Sequence, residues 1–425
     1  MQMNSSSASN NPNGWLQRFI FQFLAVYLTL FNLPFPLSLN LGETWADRTY
    51  AKLWQVIVPW FSQHVLQMGR VAIPDFINSD SKGGWVRVLS CLMISTGGAL
   101  VWAWFDPRRR HDGKIHQLVK TYVRYVLGAT MLSYGFSKIV QMQFPFPDLS
   151  NLQLTYAESS PTMLLWTFMG YGTAYNVFGG AAEVLGGVLL LFRRTTTLGS
   201  LVITAVMMNV VMMNLCYDVQ VKLYSIHLLL FAIILLGTDL KRLADVFVFN
   251  RPVDAIPMTQ LWPTNWKTSS LVVKLLLVGW LTYASVTPSI RFAIKEHNFT
   301  KSDLYGIYDV ESFTRNGQVV APLVTDTNSW RKIEIDSDGS GWVRHVDNTY
   351  FFGFSSNTDR SANKLTLNTG DKRWGNDPIV FVYTYEAQDH LRLRGNFDGA
   401  EVAMLLHRVD EKTLRILGRK FRWTR

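Results

Sequence analysis

The chain is short of charge and nearly without cysteine. Only 17% of its 425 residues are Asp, Glu, Lys or Arg, while 48% are hydrophobic. Soluble domains carry about 25% charged residues, so an ordinary globular protein is excluded as a description of the whole chain. The two cysteines, Cys91 and Cys216, lie in apolar surroundings and form no C-x-x-C. That excludes a disulfide framework and the usual dithiol redox centre. No phosphate loop, nucleophile elbow or zinc-protease motif occurs, and His64, His111, His116, His297, His345, His390 and His407 show no ligand spacing. No metal site is therefore expected. Residues 1–13 are rich in Ser and Asn and lack a basic stretch or a small-residue cleavage site. They are expected to be disordered, and the apolar segment that follows is expected to remain as an anchor.

What the chain has instead is long apolar runs. A membrane span needs about 20 apolar residues. Seven stretches qualify: 15–37, 85–105, 118–140, 162–192, 197–217, 219–237 and 269–288. The fourth is too long for one span, and Gly170 and Gly172 after Pro161 divide it into an outer piece and the helix proper. The small residues Gly179, Gly180, Ala182, Gly186 and Gly187 point to close helix packing in that segment. The net charge of +10 reads as basic cytoplasmic loops, with the lipid bilayer and not nucleic acid as the partner. Arg108, Arg109 and Arg110 follow the second run, Arg193 and Arg194 the fourth, and Lys241 and Arg242 the sixth. With every segment spanning, all fall on one side. The expected topology is an N-terminus in the cytoplasm and a C-terminus outside, in an inner or plasma membrane.

The composition changes near residue 300. From Lys301 to Arg425 there are 18 basic and 17 acidic residues. Short alternating runs (307–313, 330–335, 350–354, 364–367, 379–385, 391–393 and 402–406) are separated by turns such as Asn316-Gly317 and Asp338-Gly339. Eight or nine strands at this spacing predict one antiparallel barrel or sandwich. The last 14 residues hold six basic and no acidic side chains, either a solvated tail or a contact for anionic headgroups. The expected organisation is thus a disordered start (1–13), two spans joined by an aromatic-rich outer loop (14–117), a four-helix membrane bundle (118–240), a cytoplasmic linker with the seventh span (241–299), and an extracytoplasmic β domain (300–425). The outer loop carries Trp45, Tyr50, Trp54 and Trp60, as an interfacial helix or as an ordinary packed loop.

Charges inside a membrane need a partner, a cavity or a function. Counting depth at 1.5 Å per residue sorts the polar residues of the bundle into two layers. Lys138, Asp218 and Lys222 fall in an outer layer with Asn214 below and Tyr134 one turn beneath Lys138; a structural ion pair between Asp218 and Lys222 is the plain alternative. Glu183, Asn209 and His227 fall near mid-membrane. A Glu–His pair there carries a movable proton, suited to proton transfer or to a quinone-type headgroup whose two oxygens need donors. The alternative is a Glu hydrogen-bonded across helices for packing. The four methionines Met207, Met208, Met212 and Met213 fill a core more readily than they bind metal.

These residues carry a resemblance. Tyr134-Gly135-Phe136-Ser137-Lys138, then Glu183-Val184-Leu185-Gly186-Gly187, the turn Arg193-Arg194-Thr195 and the Asn-bearing stretch 209–214 resemble the DoxX/DoxX-like family of membrane four-helix bundles, over about residues 118–240. Some members are similar to subunits of membrane oxidoreductases that pass electrons from sulfur compounds to quinone. The resemblance implies an accessory or quinone-interacting subunit of a membrane redox system, with other redox subunits as partners. Glu183 and His227 would handle the proton, Lys138 and Tyr134 would sit near the headgroup, and Asn209, Asn214, Asp218 and Lys222 would be cofactor-binding candidates. A second hypothesis is a non-enzymatic membrane scaffold whose outer β domain binds a lipid, a small ligand or a partner protein. A third is an enzyme using Lys138 or Lys222 as a base.

Overall fold

The computed structural model describes residues 13–37, 44–73, 79–105, 112–254, 267–323, 329–347, 349–370, 377–414 and 416. The expectations for residues 1–12, for the basic loop 106–111 and for most of the basic C-terminal stretch lie outside the described residues. The chain forms two compact units: Met1–Pro145 with Leu164–Ile294, and Phe146–Met163 with Lys295–Arg425. Residues 146–163, read from the sequence as a loop of the 118–240 bundle, therefore pack with the β unit.

The helical unit begins with α1 (Asn13–Asn32), α2 (Trp45–His64) and α3 (Lys82–Phe105). A capping box closes the start of α2, with the Thr44 side chain accepting from the Asp47 N–H and the Asp47 carboxylate accepting from the Thr44 N–H. The helix then splits its aromatics by face. Trp54 is fully buried while Trp45 and Trp60 are exposed, and the Tyr50 hydroxyl donates to the Leu30 carbonyl. The aromatic outer loop is thus one helix with a packed face and an exposed face.

Four helices follow in a ring: α4 (Asp112–Ile139), α7 (Thr173–Leu191), α8 (Thr196–Cys216) and α9 (Lys222–Gly237), with α4 closing against both α7 and α9. Before α7 come short α5 (Leu149–Gln153) and α6 (Pro161–Tyr171), and the break at Gly172 separates α6 from α7 as the sequence predicts. After the ring come α10 (Leu240–Phe247) and α11 (Lys267–His297). Among the described residues, α3, α7, the stretch Arg193–Cys216 and Leu271–His297 are each long and apolar enough to cross a membrane, and α9 with α10 makes a fifth candidate bent by 71°. The apolar helices point to a membrane protein. Seven spans are not reached on this measure: α1 carries Gln17, Arg18 and Gln22, and α4 carries Lys114, Lys120, Arg124 and Lys138.

The β unit is a closed antiparallel meander. Strands β1 (Gly306–Arg315), β3 (Trp330–Ile335), β4 (Ser340–His345), β5 (Tyr350–Asp359), β6 (Lys364–Thr369), β7 (Ile379–Tyr385), β8 (His390–Phe397) and β9 (Ala400–Val409) pair in sequence order, and β9 returns to β1. The two-residue β2 (Gln318–Val319) only extends β1, after a turn in which Asn316 and Gly317 both have positive φ. Such a turn matches the strand twist. Closure leaves no free edge along the eight strands. Alternate residues fill the interior: Trp330 meets the rings of Phe352, Phe381 and Phe397 at 5.6, 5.7 and 5.1 Å. Outside, Glu334 and Arg344 are buried beneath α5, where Asp336 accepts from the Leu149 N–H at 2.6 Å.

Candidate functional site

The site grows from a glycine contact. A Cβ on Gly135 would lie 2.6 Å from the Gly180 carbonyl oxygen, and one on Gly180 would lie 2.5 Å from that of Gly135. Two turns along, Gly128 and Gly187 meet in the same way at 3.3 and 2.9 Å. Only glycine allows backbones this close. The pairing 135 with 180 and 128 with 187 makes α4 and α7 antiparallel. The sequence singled out Gly179 for packing, but nothing lies within 4 Å of its Cβ position; its neighbour Gly180 carries the contact.

This geometry brings Lys138 to Glu183. By backbone level the two stand on either side of the glycine contact, which is why a depth count separates them. Side chains on a helix lean toward its N-terminus. In antiparallel helices, Lys138 and Glu183 therefore lean toward each other and meet. They form a buried ion pair, Lys138 Nζ donating to Glu183 Oε1. The residues are 5% and 2% exposed, so solvent does little to screen the pair.

The pair opens into a cavity inside the α4–α7–α8–α9 ring. Its volume is about 60 Å³ and it is partly open to the outside, and its walls include Tyr134, Phe144, Trp166, Met207, Met213 and Tyr224. Gln143 and Asn214 also line it. Three buried polar atoms at this cavity, Glu183 Oε2, Gln143 Oε1 and Asn214 Nδ2, have no hydrogen-bond partner among the described residues. Of the four α8 methionines, Met207 and Met213 line the cavity while Met208 and Met212 are exposed. Among the described residues, no group of three His, Cys, Asp or Glu is placed to hold a metal ion.

The two expected layers are redrawn. Lys138 leaves the outer layer for Glu183, joined at the cavity by Tyr134 and Asn214. Asp218 and Lys222 pair with each other at 2.6 Å, the plain structural reading. Their neighbour is Asp80, whose carboxylate accepts from the N–H groups of Lys222 and Leu223 at 2.9 and 2.8 Å and so caps α9. Nothing in the local sequence marks that remote cap. Asn209 is exposed because it faces away from the ring. His227 does not meet Glu183. It bonds to the Tyr27 hydroxyl at 2.7 Å and to the Leu223 carbonyl at 2.6 Å, with its ring stacked 4.0 Å from Phe31. Beside it the sequence reading missed Arg87, 1% exposed, which donates to the Phe31 carbonyl at 2.9 Å. Gln143 and Tyr224 were also missed, since neither stands out until the ring closes.

No family model matches the chain, and no solved structure matches it. One similar protein is the uncharacterised protein YwoB of Bacillus subtilis (strain 168), 30% identical over 147 residues, which is 34% of this chain and 93% of YwoB. The chain belongs to the family of YwoB. The likeness to YwoB extends over about a third of the present chain, and the name of that relative assigns no activity.

Chemically, the site of this YwoB relative offers a cation, an anion and an amide around an apolar, aromatic-walled space. A space this small takes the polar head of a guest, fixed by those few groups, while the body of the guest extends through the open side. The barrel interior is filled by its own hydrophobic and aromatic side chains.

Proposed function

We propose that this membrane protein holds the polar head of a lipid-soluble molecule in the α4–α7–α8–α9 cavity, and that a quinone-type ring is the foremost candidate. The observation that carries this reading is the buried Lys138–Glu183 pair opening on aromatic and methionine walls. A charge pair taken out of water is costly and is often no more stabilising than apolar packing, so its position at a cavity favours a functional role. Lys138 and Asn214 supply donors for ring oxygens, and the rings of Tyr134, Trp166 and Tyr224 suit a flat guest. In this reading the chain serves a membrane redox system as an accessory or quinone-interacting subunit, as the DoxX-like resemblance implies. His227, bonded to Tyr27, has no part in the headgroup site.

The proposed topology keeps seven spans, with α1, α3, α4, α7, α8, α9 and α11 crossing and the β barrel outside. One contact supports it: Leu149 and Ser150, in the connection after α4, bond to Asp336 of the barrel at 2.6 and 3.4 Å. That connection and the barrel then share one side of the membrane, as the charge distribution requires.

The test is to purify the chain with its native lipids, extract the neutral lipids and identify them by mass spectrometry. A quinone retained by the wild type and lost from Glu183→Gln supports the reading. A protein that carries no lipid-soluble molecule beyond bulk lipid contradicts it.

A further inference from the structure

The cavity holds a polar requirement that its own side chains leave unmet. Glu183 is 2% exposed, and Oε1 takes the Lys138 ammonium while Oε2 has no hydrogen-bond partner among the described residues. Folded proteins satisfy about 90% or more of their buried polar groups, and an unmet carboxylate oxygen is among the costliest exceptions. Gln143 Oε1 and Asn214 Nδ2 are unmet at the same cavity. An amide can exchange the roles of its O and N by turning over, so these two do not set the sign of what is missing. A carboxylate can, because it only accepts when ionised.

We propose that the guest of this cavity is a molecule with a hydroxyl donor at its head, a phenol or hydroquinone in its reduced form, which donates to Glu183 Oε2. The proposal rests on the reading of the cavity as a ligand site and adds which form of the ligand it takes. A hydroquinone presents donors and can also accept from Asn214 or Lys138. The oxidised ring presents only acceptors, which leaves the carboxylate oxygen unmet. No electron transfer is part of the proposal; it concerns binding alone. Tyr134, Trp166 and Tyr224 line the same cavity and give the guest's head an aromatic wall.

The test uses the full chain in phosphatidylcholine nanodiscs, with empty nanodiscs as the blank. Equilibrium dialysis compares a short-tailed p-hydroquinone, kept reduced, with its dimethyl ether, which has the same ring and no donor. The expected result is at least about ten-fold tighter binding of the hydroquinone, the usual size of one hydrogen bond to a charged acceptor. In the Lys138→Met/Glu183→Leu double variant the preference should fall to within about two-fold. Equal binding of the two probes to the wild type overturns the donor proposal while the cavity stands as a ligand site. Binding of neither probe overturns both. Should the double variant fail to enter nanodiscs, the wild-type comparison decides by itself.

Discussion

Removing one member of the Lys138–Glu183 pair should cost far more than removing both. At 4 Å and an effective dielectric constant of about 20, two unit charges attract by about 4 kcal/mol. Taking each ion out of water costs several kcal/mol, so the net worth of the intact pair is near zero. Lys138→Met leaves the Glu183 carboxylate, 2% exposed, without its counter-ion; Glu183→Leu does the same to the ammonium. Each single variant should be destabilised by about 3–5 kcal/mol, and the Lys138→Met/Glu183→Leu double variant by about 1 kcal/mol or less. The coupling between the two sites is then several kcal/mol, far above the usual additivity error. The assay is reversible unfolding in mixed micelles of mild detergent and dodecyl sulfate, followed by circular dichroism for all four proteins. Two small single costs that simply add in the double variant would refute the reasoning, because they would mean that the two groups do not act as a buried ion pair.

The glycine contact gives a sharp paired comparison: Gly180→Ala should destabilise the helical unit by about 1–3 kcal/mol through overpacking, while Gly179→Ala, with open space at its Cβ position, should be neutral in the same unfolding assay. In the barrel, burial pushes the Glu334 carboxyl up to about 7 despite the adjacent Arg344, and burial pushes Asp336 up to about 6. A carboxyl raised on folding favours the folded state at low pH, and that contribution is lost as pH rises through the folded value. Relative to Glu334→Gln, the wild-type barrel should therefore lose about 1–3 kcal/mol between pH 5 and pH 8, read as amide exchange of the barrel strands corrected for intrinsic rates; a relative gain would mean that the ion pair outweighs burial. Finally, His227→Phe should leave retention of the cavity guest within about two-fold of wild type, whereas Asn214→Leu, which removes an orphan amide group, should weaken it about five-fold or more. Quantifying the bound molecule in both variants checks this.

Much of the fold was legible because its signals are local. The Asn316-Gly317 and Asp338-Gly339 turns and the alternating runs mark the strands, and β1, β3 and β5 to β9 lie where those runs fall. Strand β4 is the least visible, since Gly341 lacks a side chain and the outward-facing Arg344 is buried by the α5 connection rather than by the core. That connection could not be assigned to the β unit from sequence, because its anchoring depends on Asp336, which is remote in the chain. The site was legible in composition but not in arrangement. Lys138, Glu183, Tyr134 and Asn214 stand out as polar or phenolic groups in apolar runs, yet a depth count locates backbones and not the ends of long side chains. It therefore set Lys138 apart from Glu183, which the lean of antiparallel side chains brings together. It also paired Glu183 with His227, because depth alone says nothing about which face of α9 meets α1. The Tyr27 hydroxyl claims that histidine.

The most direct measurement is a cryo-electron-microscopy map of the full chain in nanodiscs of its native lipids, resolved well enough to see side chains in the α4–α7–α8–α9 ring. Expected is a non-protein density that enters the cavity, its polar end within about 3 Å of the Glu183 carboxylate and its body extending past Tyr134 and Trp166 through the open side. A cavity closed by its own side chains, with Lys138 and Glu183 sealed from any guest, would contradict the proposed role of the pair.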